Sequence, residues 1–152
     1  MTLTTSHTVD SRTLEIYERW HETVARGAIE ETAALYSENA TLETPLVLMV
    51  SKDMPGGVIV GRDNIKSFFL AALQQYPREL SKWYRTGTFF TNGRQLTWEY
   101  PREVPDGEQP DIMEMMDIED GFIVRHRVYW GWYGLRLLAS RALGVFLTQP
   151  PE

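Results

Sequence analysis

The sequence has no cysteine. That absence removes disulfides, thiolate nucleophiles and thiolate-held zinc or iron–sulfur centres. It also has no run of basic residues. Fifteen Lys and Arg are scattered among twenty-one Asp and Glu, for a formal net charge of -6. A phosphate-backbone site needs a concentrated Lys/Arg face, so no nucleic-acid partner is expected. No apolar stretch approaches the roughly 20 residues that cross a bilayer, so no membrane partner is expected either. Residues 1–13, MTLTTSHTVDSRT, lack the apolar centre of a signal peptide. A reducing cytoplasm is the expected setting. The motifs for metal and nucleotides are incomplete: His21–Glu22 resembles half of a helical zinc motif, but Ala25 stands where the second His belongs. His7 lies in the polar start of the chain. Gly56, Gly57 and Gly61 do not follow a strand and open a helix as a dinucleotide site requires. No metal and no cofactor are expected.

Aromatic bulk is abundant: 12% of 152 residues, including five Trp and seven Tyr. The length suits one domain with a real core. Residues 1–10 are expected to be a disordered tail and 11–148 a single domain. Asp10 or Ser11 caps a first helix whose Leu14, Ile16, Tyr17, Trp20 and Val24 recur at spacings of three and four. Gly27 stops it. A second helix carries Glu30 and Glu31 in its first turn, buries Ile29, Ala33 and Tyr36, and ends at Asn39. A short strand at 41–43 is halted by Pro45, and 46–60 is poorly patterned. A third helix starts at Asp63, buries Ile65, Phe68, Phe69, Ala72, Leu73 and Tyr76, and closes at Pro77.

Strands dominate the rest. Segments 83–91 and 94–104 flank Asn92–Gly93, a strong hairpin signal. Segments 111–118 and 122–133 flank Glu119-Asp120-Gly121, and 135–147 reads as a short amphipathic helix. Helices first and meandering strands afterwards is an α+β order.

Alternation along a strand assigns faces. A three-residue loop after Ile118 sets it opposite Phe122, Met116 opposite Val124, Glu114 opposite His126 and Ile112 opposite Val128. One face then carries those residues and Trp130, and is apolar apart from Glu114 and His126. The other carries Met113, Met115, Asp117, Arg125, Arg127 and Tyr129. Its apolar members predict cover by a second subunit. In the first hairpin, a two-residue turn pairs Phe89 with Leu96, Gly87 with Trp98 and Arg85 with Tyr100. Leu96, Trp98 and Tyr100 then face inward.

The stretch RWHETVARGAIEETAALYSENATLETPL at 19–46 resembles the opening of ketosteroid isomerases and SnoaL-like polyketide cyclases, of the nuclear transport factor 2-like superfamily. "ATLETP", "GRDNI" and "DIEDGFIVRHR" extend the resemblance over nearly the whole chain. It implies a cone of three N-terminal helices packed on a strongly curved antiparallel sheet, with a short C-terminal helix, a deep pocket and frequent dimerisation through the sheet. Carried over by position, the isomerase's general base falls on Thr44, whose hydroxyl cannot take up a proton near neutral pH. The oxyanion-hole tyrosine falls on Trp20, which still donates one hydrogen bond. The protonated aspartate of that hole falls on Glu114 (the isomerase is a standard example of a carboxylic acid held neutral by an apolar site). Val128 occupies an aspartate position of limonene epoxide hydrolase-like enzymes, and one pocket histidine stands where scytalone dehydratase-like enzymes use two.

Two readings of Glu114 and His126 stand side by side. Cross-strand neighbours have Cβ atoms roughly 4.5–5.5 Å apart, close enough for an acid–base pair or for a structural ion pair that only shapes a cavity. Trp20, Trp98, Tyr100 and Trp130, with Thr44, Met116 and Val128, are the candidate wall for a small apolar ligand; core packing is the plain alternative. Tyr17 reads as core, and Arg85 and Arg102 as solvated strand ends. The expectation is a cofactor-free cyclase, isomerase or dehydratase, or a non-catalytic binding module on the same fold, in either case a homodimer.

Overall fold

The computed structural model describes residues 11–51, 56–75, 87–101 and 111–143. Helix α1, Ser11–Arg26, buries Ile16, Tyr17 and Trp20 along one stripe. It ends at Gly27, whose φ of 66° permits the left-handed turn in which Ala28 N–H donates to Thr23 O at 2.9 Å. Helix α2 is short, Ile29–Ala33, and strand β1 follows at Tyr36–Glu43.

Tyr36 to Asn39 are therefore strand, not the end of the second helix. Tyr36 and Ala40 are both buried while Glu38 between them is exposed, and β1 is irregular between Tyr36 and Thr41. That four-residue spacing imitates a helical stripe. The poorly patterned segment contains α3, Val47–Val50, and β2, Val58–Val60. One more helix thus precedes the sheet's main strands than the three expected. Helix α4 spans Arg62–Gln75; the closing residues Tyr76 and Pro77 lie outside the described residues. Strands β3, Phe90–Thr91, β4, Gln95–Pro101, β5, Asp111–Glu119, and β6, Phe122–Trp130, complete the sheet. Helix α5, Trp132–Leu143, starts three residues before the expected 135. Residues 1–10 and the end of the expected domain, 144–148, lie outside the described residues, as do Arg85 and Arg102.

The six strands lie in the order β2-β1-β6-β5-β4-β3. The sheet is mixed rather than wholly antiparallel, because β1 runs parallel to β6. Hairpin signals are local, and this pairing joins residues 84 to 87 positions apart, so nothing local announces it. Helix α2 packs on both α1 and α4, while α1 packs on β4 and α4 on β1.

Two hairpins differ in register from their predicted form. In β3–β4, Thr91 pairs with Leu96 and Phe90 with Thr97. Asn92 Oδ1 accepts from the backbone N–H groups of Arg94 and Gln95, so Gly93 and Arg94 become the turn's centre. The slip is two residues, which preserves the faces. In β5–β6 the turn centres are Asp120 and Gly121, at φ 51° and 80°, as a two-residue turn of the primed type requires. Glu119 opposes Phe122, and Ile118 opposes Ile123. Val124 is then skipped, so Met116 meets His126, Glu114 meets Val128 and Ile112 meets Trp130. Phe122, predicted inward, is exposed.

The bulge decides the faces. A regular ladder from this turn would send Arg125, Arg127 and Tyr129 into the core. One extra residue reverses the alternation and brings in His126, Val128 and Trp130 instead.

Candidate functional site

Strands β4, β5 and β6 each contribute inward residues, and α1 lays Trp20 across them. Trp20 packs at 5.2 Å from the Trp98 ring and edge-on to His126 at 5.9 Å. Glu114 and His126 are 4% and 2% exposed, so neither exchanges its partners for bulk water.

Their hydrogen bonds form a chain of four side chains. His126 Nε2 lies 2.5 Å from Glu114 Oε2. Tyr100 O–H donates to Glu114 Oε1 at 2.7 Å. Tyr36 Oη lies 2.7 Å from His126 Nδ1. A neutral His126 with its proton on Nε2 satisfies all three contacts, since it then donates to Glu114 while Nδ1 accepts from Tyr36 O–H. This is also the arrangement in which each partner orients the next. Tyr36 is the member that sequence reasoning did not place here, because it was read as helical. Its signal is the Tyr36–Ala40–Leu42 inward set once β1 is allowed to begin at Tyr36.

A cavity of about 100 Å³ adjoins this chain. Trp20, Thr44, Tyr100, Glu114, His126, Val128 and Trp130 line it, joined by apolar side chains of α4 such as Phe68 and Ala72. The structure therefore brings seven of the nine candidate residues to one space. Trp98 and Met116 are not among its lining residues. Both are fully buried on the inward face, with Trp98 against Tyr17 and His21 and Met116 opposite His126. Thr44 Oγ1 accepts from Leu46 N–H at 3.3 Å, so the hydroxyl at the family's base position also shapes the turn out of β1.

A second histidine lies close by. His21 is buried in α1, and its Nδ1–H donates to Tyr17 O at 2.8 Å, which fixes the tautomer. Burial pushes its pKa below the usual histidine range, while the Tyr17 carbonyl and the Glu114 charge pull the other way. Sequence reasoning weighed this residue only as half a zinc motif. Among the described residues no three His, Asp or Glu side chains come together as a metal site, and no helix is long and apolar enough to cross a membrane. Tyr17 belongs to the core, its hydroxyl accepting from Gly87 N–H at 2.9 Å.

The helices before a six-stranded mixed sheet, with the inward face enclosed between them, match many solved structures. A SnoaL-like protein of unknown function from Burkholderia thailandensis superposes with a TM-score of 0.64 at 11% identity, over 81% of this chain and 97% of that one. The chain has the nuclear transport factor 2-like fold. A protein of that description from Anabaena variabilis gives a TM-score of 0.60 at 20% identity, over 86% of this chain and 94% of that one. TerC, co-crystallised with polyporic acid, gives 0.61 at 17% identity, over 84% and 98%. No protein-family model matches the sequence, and no curated protein matches it. In this fold the Glu114–His126 chain and its cavity sit between α1, α4 and the inward face of β4, β5 and β6.

Proposed function

We propose that the protein takes a small, largely apolar, ring-containing or carbonyl-bearing molecule into the cavity and moves a proton on it without a cofactor. The observation that carries this reading is Glu114: a carboxyl buried in an apolar wall, held at one oxygen by Tyr100 and at the other by His126. Such a group can remove a proton from the carbon beside a carbonyl. The C–H electron pair passes to the carbonyl oxygen as an enolate, and return of the proton to another carbon of the same molecule completes an isomerisation. Trp20, which lines the same cavity, is the donor we assign to the enolate oxygen. Cyclisation and dehydration are variants of the same proton traffic. A threonine at position 44 means that the base is Glu114, not the residue after Glu43.

A second reading is non-catalytic binding. It is favoured by the closure of the network: both oxygens of Glu114 and both ring nitrogens of His126 already have protein partners. The reading as a whole also includes a homodimer through the outward sheet face, supported by Met113 and Tyr129 at 39% and 45% exposure, and a cytoplasmic setting, supported by the lack of cysteine.

Thermal unfolding with 2-indanone distinguishes a pocket from a filled core. Both readings expect a rise in Tm that is absent in Ala72→Phe, which fills the cavity from α4. An unchanged Tm for the wild type across ring ketones of this size counts against both.

A further inference from the structure

In a regular strand Tyr36 would lie out of reach of His126. Leu42 is the residue of β1 that pairs with His126, and the stretch from Tyr36 to Leu42 would span roughly 20 Å if fully extended. It is not extended. Tyr36 pairs with Ile123 and Thr41 with Arg125, so β1 advances five residues while β6 advances two. The surplus draws the start of β1 toward His126, and the two rings end with centroids 6.0 Å apart. Two bonds from the link between β2 and α4 close the folded stretch. Gly61 N–H donates to Ala40 O at 2.8 Å, and Arg62 Nε–H donates to Tyr36 O at 2.7 Å. On the other flank Leu35 O accepts from Ile123 N–H at 2.8 Å. Tyr36 is thus fastened through the backbone on both sides, with its ring fully buried beside Phe69.

Tyr36 is not among the lining residues of the cavity, so any effect it has on a ligand passes through His126. The imidazole is held at two points, Nδ1 by Tyr36 Oη at 2.7 Å and Nε2 by Glu114 Oε2 at 2.5 Å. The place of its proton decides what Glu114 can do. A proton on Nδ1 would turn the Nε2 lone pair toward Oε2, and so close a contact between two acceptors would require a proton on Glu114. The carboxyl would then be an acid. A proton on Nε2 leaves Glu114 a carboxylate instead. Each of its oxygens keeps a second lone pair beyond the bond from His126 or Tyr100, so it can still take a proton from carbon. His126 cannot compete for that proton, because the nitrogen facing Glu114 already carries one.

We infer that Tyr36 is a positioning residue for proton transfer: its hydroxyl donates to His126 Nδ1, which keeps the histidine's own proton on Nε2 and presents Glu114 to the cavity as a carboxylate. This rests on the reading of Glu114 as the proton-moving group and adds what keeps it a base. Arg62, the first residue of α4, backs the arrangement by holding the Tyr36 carbonyl.

The test is 1H–15N NMR of the ligand-free protein, which reads directly which imidazole nitrogen carries a proton. His7→Gln and His21→Gln assign the three histidines by elimination. At neutral pH His126 is expected with a protonated Nε2 and a bare Nδ1. Tyr36→Phe removes only the hydroxyl. The Nε2 proton should then exchange with water about ten- to hundredfold faster, the equivalent of one buried hydrogen bond lost. In deuterium uptake by butan-2-one the maximal rate should fall in Tyr36→Phe while the half-saturating concentration stays unchanged, because Tyr36 does not line the cavity. If Tyr36→Phe does not fold, Arg62→Lys takes its place with the same direction expected, since lysine has no Nε–H for Tyr36 O. A proton on Nδ1 of wild-type His126, or an Nε2 proton whose exchange is unchanged in the variant that folds, overturns the inference. A raised half-saturating concentration at an unchanged maximal rate overturns it too, by making Tyr36 part of the ligand wall. A wild type that shows the expected tautomer, and loses its protection in the variant, but exchanges no ketone contradicts Glu114 as a base and leaves the hold of Tyr36 on His126 standing.

Discussion

Glu114 lies opposite Val128 in the ladder, yet its carboxylate reaches diagonally to His126, with Oε2 2.5 Å from Nε2. The diagonal exists because Val124 is skipped in the pairing of β5 with β6. A single unpaired residue thus puts an imidazole into the core where an arginine would otherwise point. The cavity, the buried pair and the outward position of Arg125 and Arg127 all follow from it.

Deleting Val124 should therefore be tolerated, because Ile123 then still meets Ile118 and Arg125 still meets Asp117 in a regular ladder that keeps His126, Val128 and Trp130 inward. Val124→Ala keeps the bulge, and its cost should stay under about 1 kcal/mol for a half-buried side chain. Circular dichroism during thermal unfolding reads both variants. A deletion variant that does not unfold cooperatively would show that the skipped Val124 is not what sets the face.

The four-residue chain should contribute to stability through partner dependence. His126→Ala leaves Glu114 and Tyr36 each short of a buried partner, and should cost about 3–5 kcal/mol. Glu114→Gln retains shape and an acceptor for Tyr100, and should cost about 1–3 kcal/mol. Urea titrations give both values. Losses below about 0.5 kcal/mol in each would mean that the pair is not holding this part of the core.

His21 gives a pH dependence of definite sign. Its folded pKa lies below the ordinary 6.5, so the unfolded chain takes up this proton first as pH falls. Its contribution is fully present above about pH 6.5 and is lost as the pH falls from there toward the folded value. The stability gap between wild type and His21→Gln should accordingly narrow between about pH 7.5 and pH 5. A gap that is constant, or that widens toward acid, would place the shift in the opposite direction.

The outward sheet face carries Met113 opposite Tyr129, one outward rung beyond Arg127 and its ion pair with Asp117. Tyr129→Glu should convert a dimer into monomers in analytical ultracentrifugation without lowering the thermal midpoint of the monomer. A wild type that is monomeric at high micromolar concentration would remove the dimer from the account.

Local periodicity made most of this molecule legible. The α1 stripe, the start of α4 near Asp63 and the two hairpin turns are written within a few residues of one another, as are the inward positions of Leu96, Trp98 and Tyr100. What the sequence concealed was non-local or irregular. The parallel pairing of β1 with β6 has no local signature, and with it went the strand character of Tyr36, the fourth member of the hydrogen-bonded chain. The Val124 bulge altered who meets whom while sparing the face of Glu114, His126, Val128 and Trp130, because the mistaken loop length and the skipped residue offset each other. Alternation also says nothing of position along the face. Trp98 and Met116 face inward as expected, but among packed side chains, away from the lining of the cavity.

The central claim is that Glu114, held by His126 and Tyr100, moves protons on a ligand in the cavity. Deuterium uptake at the carbon beside the carbonyl of 2-indanone, followed by NMR in heavy water, tests it without knowledge of the natural substrate. The account predicts exchange accelerated by the wild-type protein over buffer, reduced by at least about a hundredfold in Glu114→Gln, in line with the loss of a general base, and reduced also in His126→Ala and Ala72→Phe. Exchange no faster than in buffer while 2-indanone is bound, or equal rates for wild type and Glu114→Gln, would contradict it.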